Sequence, residues 1–169
     1  KLEPALATVW ENFLLGCGNC NSVKGKKPTN SDDWLWPDRD NTMCALAYSD
    51  GGFVEASPSL GPTIKARAQN LLDLVGLQKH GATTGKKPTR GDKRWLEREQ
   101  AFAFATKSKA GLEKLPTSGR VEYLSLLLDA AVWIGFFSCW LTVFRDYPDI
   151  CTELIARMPG TATDCFDAE

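Results

Sequence analysis

A mainly helical α+β fold is what this 169-residue sequence predicts, and three observations carry the prediction. The chain is 43% apolar with six Trp and eight Phe, enough for one sizeable core or a core with a small lobe, and too apolar for a disordered chain. A single tight-turn signal, Ser49-Asp50-Gly51-Gly52, sits between the apolar runs 43–48 and 53–55 and reads as a β-hairpin, because Asp-Gly supplies the positive φ angles of a primed turn. From Pro62 onward the apolar residues recur at helical spacing. The expected architecture is a small lobe over residues 1–56 containing the hairpin, followed by a helical lobe over 57–169.

Taken in order, the organised part begins at Ala5 to Leu15, and a short helix is expected from Asn21, stopped by Gly25-Lys26-Lys27-Pro28. Asp32 to Asn41 is turn-rich and aromatic. Pro62 to Val75 carries Ile64, Ala68, Leu71, Leu72 and Val75 on one stripe and ends at Gly76, a helix with Pro at its start and Gly after its end. Gly81 to Asp92 is a basic loop, and helices are expected over 94–109, 120–135, 136–145 and 148–158 before Pro159-Gly160. Leu71, Leu72, Leu126, Leu127, Trp133, Phe137, Trp140 and Phe144 are the expected core. The sequence contains no internal repeat.

Net charge is −1, which gives no global sign of a polyanionic partner. The distribution is uneven, however: residues 79–120 hold eleven Lys or Arg against four acids, a local excess of +7. Such a block is either a phosphate-binding face or a solvated surface. Six cysteines are too sparse for a secreted disulfide framework, and the expected compartment is the cytoplasm. The longest apolar stretch, Leu124 to Phe144, is broken by Asp129 and reads as a buried helix, so no membrane partner is expected.

The stretch with chemical content runs from Trp10 to Lys27: Asn12, then Cys17-Gly18-Asn19-Cys20, then Asn21 directly after the second Cys, then Lys24. Two thiolates separated by two residues sit on a tight turn and share one tetrahedral Zn2+, which needs two further ligands. Asn21 offers a hard carbonyl oxygen to a Mg2+-type cation, and Lys24, one turn on, meets a phosphate. Each residue also has a plain alternative. Cys17 and Cys20 could be idle thiols, Asn12 a turn amide or helix cap, and Lys24, Lys26 and Lys27 a solvated helix end. His80, the chain's single histidine, has no acidic neighbour in its Gly/Thr/Lys loop and reads as a loop residue rather than a general base.

These residues resemble the HNH endonucleases of the ββα-metal class, in the version whose last motif is Cys-x-x-Cys-Asn-x-x-Lys-Gly, matched here from Cys17 to Gly25. Trp36-Pro37-Asp38-Arg39-Asp40-Asn41-Thr42 and the stretch 159–167 also resemble segments of one bacterial HNH subfamily. The resemblance implies a partial ββα-metal lobe with a zinc knuckle. It implies metal-dependent DNA cleavage, with Asn12 orienting the base loop, Asn21 on the catalytic Mg2+ or Mn2+, Lys24 on phosphate, and Cys17 and Cys20 as half of a structural zinc site. DNA would then be gripped by Lys24, Lys26, Lys27, Lys86, Lys87, Arg90, Lys93 and Arg94. The family's Glu-His element and its partner Cys-x-x-Cys should lie before Trp10, where nine residues hold neither, so the chain is expected to be catalytically incomplete. Similar bacterial nucleases work in antiviral defence with an ATPase subunit. The alternative expectation is accordingly a non-catalytic, zinc-containing DNA- or protein-binding module that docks to such a partner.

Overall fold

The computed structural model of the chain describes residues 5, 8–10, 14, 16–27, 32–37, 39–83, 85 and 87–158. Its elements, in order, are α1 (Gly18–Lys24), α2 (Thr42–Ala45), β1 (Leu46–Ser49), a 3-10 turn (Asp50–Gly52), β2 (Phe53–Ala56), α3 (Pro62–Val75), α4 (Arg94–Lys114), α5 (Thr117–Ile134), α6 (Phe137–Val143) and α7 (Pro148–Ala156). The two strands form one two-stranded sheet, and the rest is helical: the α+β, mainly α class read from the sequence. No helix among the described residues is long and apolar enough to cross a membrane.

The chain divides into two compact units, residues 1–47 with 54–92, and residues 48–53 with 93–169. Helix α3, which follows the boundary expected after residue 56, falls in the first of these units.

In the first unit, the frame read for α3 is the frame found. Pro62 stands in its first turn, and Gly76, in the left-handed region at φ 64°, caps its end with its N–H on the Leu72 carbonyl; the Leu77 N–H reaches the same oxygen at 3.1 Å. Ala68, Leu71, Leu72 and Leu74 form the buried face of α3. The aromatic loop ahead of α2 is tied to α3 by one guanidinium. Arg67 donates from Nη2 to the Trp34 carbonyl at 2.8 Å and pairs with Asp40 at 3.3 Å, while the Asp40 carboxylate accepts the Trp36 N–H at 2.7 Å. Here the hairpin departs from expectation. Residues 43–45, expected at the start of its first strand, belong to the helical turn 42–45 instead, because the Asn41 side chain accepts the Cys44 N–H at 3.0 Å and caps it. Pairing then starts at Leu46.

In the second unit, the 3-10 turn packs on α4. Gly52 approaches so closely that a Cβ placed on it would lie 2.4 Å from the Trp95 carbonyl oxygen and 2.7 Å from the Glu99 nitrogen. The buried Arg98 donates from Nε to the Gly52 carbonyl at 3.0 Å. Further along α4, Gly111 admits Tyr123 of α5, whose hydroxyl would stand 2.5 Å from a Cβ there and donates to the Ser108 carbonyl. Edge-to-face and stacked contacts join Phe104, Trp140, Phe144 and Tyr147 at centroid separations of 6.0 to 6.4 Å, an aromatic row whose middle members, Trp140 and Phe144, are fully buried. Lys109 closes the row: its Nζ lies 5.1 Å from the Tyr147 ring centroid and bonds to the Val143 carbonyl and to Asp146.

Of the expected core, Leu71, Leu72, Leu127, Trp140 and Phe144 are buried. Phe137 is half-buried. Leu126 and Trp133 are not part of the core, at 68% and 89% exposed. Helix α5 is apolar around much of its circumference, so helical period alone does not choose its inward side.

Candidate metal knuckle and its surroundings

The Cys-x-x-Cys turn folds because Cys17 is the N-cap of α1. Its backbone is extended (φ −65°, ψ 157°), and its Sγ accepts the Cys20 N–H at 3.3 Å, in the place a Ser or Asp oxygen takes in an ordinary cap. The Asn21 N–H then closes the first helical turn on the Cys17 carbonyl at 3.0 Å. The helix lasts two turns. Gly25, at φ 55°, ends it with its N–H on the Asn21 carbonyl, and the Lys27 N–H reaches the Lys24 carbonyl just beyond.

Helical spacing sorts these residues. Cys17, Cys20, Asn21 and Lys24 stand at i, i+3, i+4 and i+7 and share one face of α1. Asn19, Ser22 and Val23 form the other, which meets α3: a Cβ added at Gly76 would stand 3.1 Å from Cγ1 of Val23. This second face borders a polar cleft of about 630 Å³ that also takes in Lys27, Asp73, Gln78 and Lys79.

Both cysteines are thiols rather than half-cystines, Cys17 exposed and Cys20 half-exposed. A sulfur that accepts the N–H of the second cysteine, with both side chains reaching solvent, fits two corners of a tetrahedral thiolate site. Among the described residues, no group of three or more His, Cys, Asp or Glu side chains converges on one point, so the other corners are not among them. Asn21 is exposed, with its amide on the same face as the thiols, which suits a hard cation beside the knuckle.

Asn12 and Lys86, two of the residues singled out from the sequence, lie outside the described residues. In the first unit Lys26, Lys27, Lys87 and Arg90 are exposed, and Lys24 is partly so. In the second unit Lys93 is exposed as the N-cap residue of α4, whereas Arg94, expected on the same nucleic-acid-binding surface, is buried at 7% exposure. Arg98, counted in the same basic stretch, is buried as well.

His80 is 4% exposed, and its Nδ1 accepts the Ala82 N–H at 3.0 Å. The Thr83 hydroxyl donates to the His80 carbonyl, so the imidazole acts as the centre of its own loop. Sequence reasoning missed Arg67 and Asp40 as organisers of this unit. For Asp40 a signal existed, an acid three residues after Pro37 in a turn-rich segment, but its partner Arg67 is 27 residues away.

No protein-family model, curated protein sequence or solved structure matches this chain.

Proposed function

We propose that this chain is part of a metal-dependent DNA endonuclease of the HNH type, acting in bacterial defence, with α1 as the element that carries metal and phosphate contacts. The observation that supports the reading is the single face of α1 bearing Cys17, Cys20, Asn21 and Lys24. Cys17 and Cys20 would hold a structural zinc, and Asn21 a Mg2+ or Mn2+ ion that stabilises charge on the scissile phosphate. Within the chain, the knuckle fixes the start of α1 and so the direction in which Asn21 and Lys24 project. The Lys24 ammonium neutralises a phosphate oxygen, and Lys26, Lys27, Lys87 and Arg90 add sequence-independent attraction to the backbone.

A second reading rests on His80. The one imidazole of the sequence is buried and engaged with its own loop, which favours a non-catalytic zinc module that binds DNA or an ATPase partner.

Zinc content and plasmid cleavage, measured on the same preparations, separate the two. The expected result is about one zinc per chain, lost in Cys17→Ser and kept in Asn21→Ala. The 169-residue chain should cleave DNA slowly or not at all with Mg2+ or Mn2+. The chain extended at its N-terminus by a Glu-His-bearing strand should cleave at least about 10² faster, and should lose that gain on Asn21→Ala. Cleavage by the unextended chain that survives Asn21→Ala and disappears on His80→Ala overturns the proposal; DNA or partner binding with no cleavage by either form selects the second reading.

A further inference from the structure

The polar cleft beside the α3-facing side of α1 lies wholly within the first unit. Its volume, about 630 Å³, falls in the range of roughly 300 to 1,000 Å³ found for small-molecule sites. Its charges are balanced: Lys27 and Lys79 bring two cations, Asp73 and Asp92 two carboxylates. The fold sets their places. Lys79 lies along Gly76, where an added Cβ would stand 3.0 Å from its Cε, and Asp92, 6% exposed, belongs to a turn closed by its N–H on the Thr89 carbonyl at 3.0 Å. Gln78 donates from Nε2 to Asp73, and its buried Oε1 meets no donor among the described residues. Two carboxylates and an amide oxygen thus share one cleft with two ammonium groups.

We infer that this cleft takes one unpaired nucleotide of a DNA strand, its phosphate on the lysines and its base amine on Asp73, Asp92 and Gln78; the inference rests on the action on DNA proposed above. Charge selects the class. A bare anion or a bare cation gains little from a cleft whose lysines and carboxylates cancel, whereas a nucleotide carries a phosphate at one end and N–H donors at the other. The surroundings select a strand over a free small molecule. The cleft's lining runs on in sequence from Lys27 back to Lys26, and from Thr89 to Lys87 and Arg90, all exposed cations that meet the phosphates of neighbouring nucleotides. A duplex is excluded, because a paired base keeps its Watson–Crick edge on its partner and cannot turn those donors to the cleft. Among the described residues no aromatic ring lines the cleft, so hydrogen bonds rather than stacking read the base, and a base with an exocyclic amine is preferred to thymine.

The test is fluorescence anisotropy of the full 169-residue chain with labelled strands of about 12 nucleotides, all deoxycytidine, all deoxythymidine or all ribocytidine, and a duplex of the same length, at one salt concentration. Phosphate attraction by itself favours the duplex, whose charge is denser. The expected result is the opposite: the deoxycytidine strand binds at least about fivefold tighter than either the deoxythymidine strand or the duplex. Asp73→Asn keeps the side chain's shape and removes one carboxylate, and should lower the deoxycytidine-to-deoxythymidine ratio at least about threefold; a carboxylate that only repels phosphate would raise every affinity alike and leave the ratio unmoved. Ser22→Leu, on the cleft wall, should bring the deoxycytidine strand down to the level of the duplex without changing the duplex itself. Helical circular dichroism should stay unchanged in both variants, since Asp73 and Ser22 are exposed. No binding of the deoxycytidine strand, a duplex or deoxythymidine strand bound as tightly, a ribocytidine strand bound more tightly, or ratios unmoved by both variants overturns the inference. Zinc content and cleavage are not read here, so a chain that binds the strand selectively without zinc or cleavage fails the nuclease reading alone, and the reverse fails this inference alone.

Discussion

Replacing Gly52 with alanine tests how the hairpin tip is held on α4. Gly52 has φ 76°, and its missing Cβ faces main-chain atoms of α4, the Trp95 oxygen at 2.4 Å and the Glu99 nitrogen at 2.7 Å, which do not swing away as a side chain would. The left-handed conformation costs an alanine about 1 to 2 kcal/mol, and the overlap is relieved only by lifting the turn off the helix. Lifting loosens the Arg98 Nε bond to the Gly52 carbonyl, a charged donor left with a poorer acceptor in a buried place. Together these effects come to about 4 kcal/mol, a large share of the 5 to 15 kcal/mol that holds a typical domain. Gly51 is the internal control. It has nearly the same φ, 79°, but its Cβ would meet the edge of the Phe53 ring at 2.9 Å, a side-chain rather than a backbone atom, on a residue 41% exposed. Gly51→Ala should therefore cost only the conformational term, about 1 to 2 kcal/mol. Guanidinium unfolding followed by circular dichroism gives both values, and hydrogen exchange at residues 94–99 locates the loss. If Gly52→Ala is no more destabilising than Gly51→Ala, the close approach is not what holds the turn.

Two further predictions concern the second unit. Gly111→Ala should destabilise by about 1 to 3 kcal/mol despite the better helix propensity of alanine, because Oη of Tyr123 occupies the space; adding Tyr123→Phe should recover at least about 1 kcal/mol in a double-mutant cycle, and simple additivity would refute the account. Burial raises the Cys139 thiol to about 11, against the smaller opposing pull of Arg98. The unfolded thiol ionises from about pH 9 while the folded one keeps its proton, so this contribution is intact below pH 9 and falls away by on the order of 2 to 3 kcal/mol as pH rises to about 11; Cys139→Ala should flatten that part of the stability profile.

Much of the fold was legible because its signals are local. The start and stop of α3 follow from Pro62 and Gly76, and α7 starts at Pro148 as expected. The shared face of α1 was legible for the same reason: cysteines three apart, followed by Asn21 and Lys24, keep their spacing whatever the rest of the chain does. Errors arose where a local signal has two meanings. Helix α4, expected to end at Lys109, continues to Lys114, and Gly111 inside it admits the close approach of Tyr123. The apolar run from Met43 reads as strand, whereas the Asn41 side chain caps a helical turn over its first residues.

The basic stretch shows the limit most plainly. Eleven cations between residues 79 and 120 look alike as a row of charges, and counting them gives a phosphate-binding face or a solvated one. Arg98 is neither: it is buried, because a turn of positive-φ glycines 46 residues earlier leaves a carbonyl in the unit's interior that needs a donor. A guanidinium on a long stem reaches that carbonyl from α4 and lets the turn close on the helix. One charge of the block thus serves the fold, while Lys87, Arg90, Lys93, Lys107, Lys114 and Arg120 are among its exposed members.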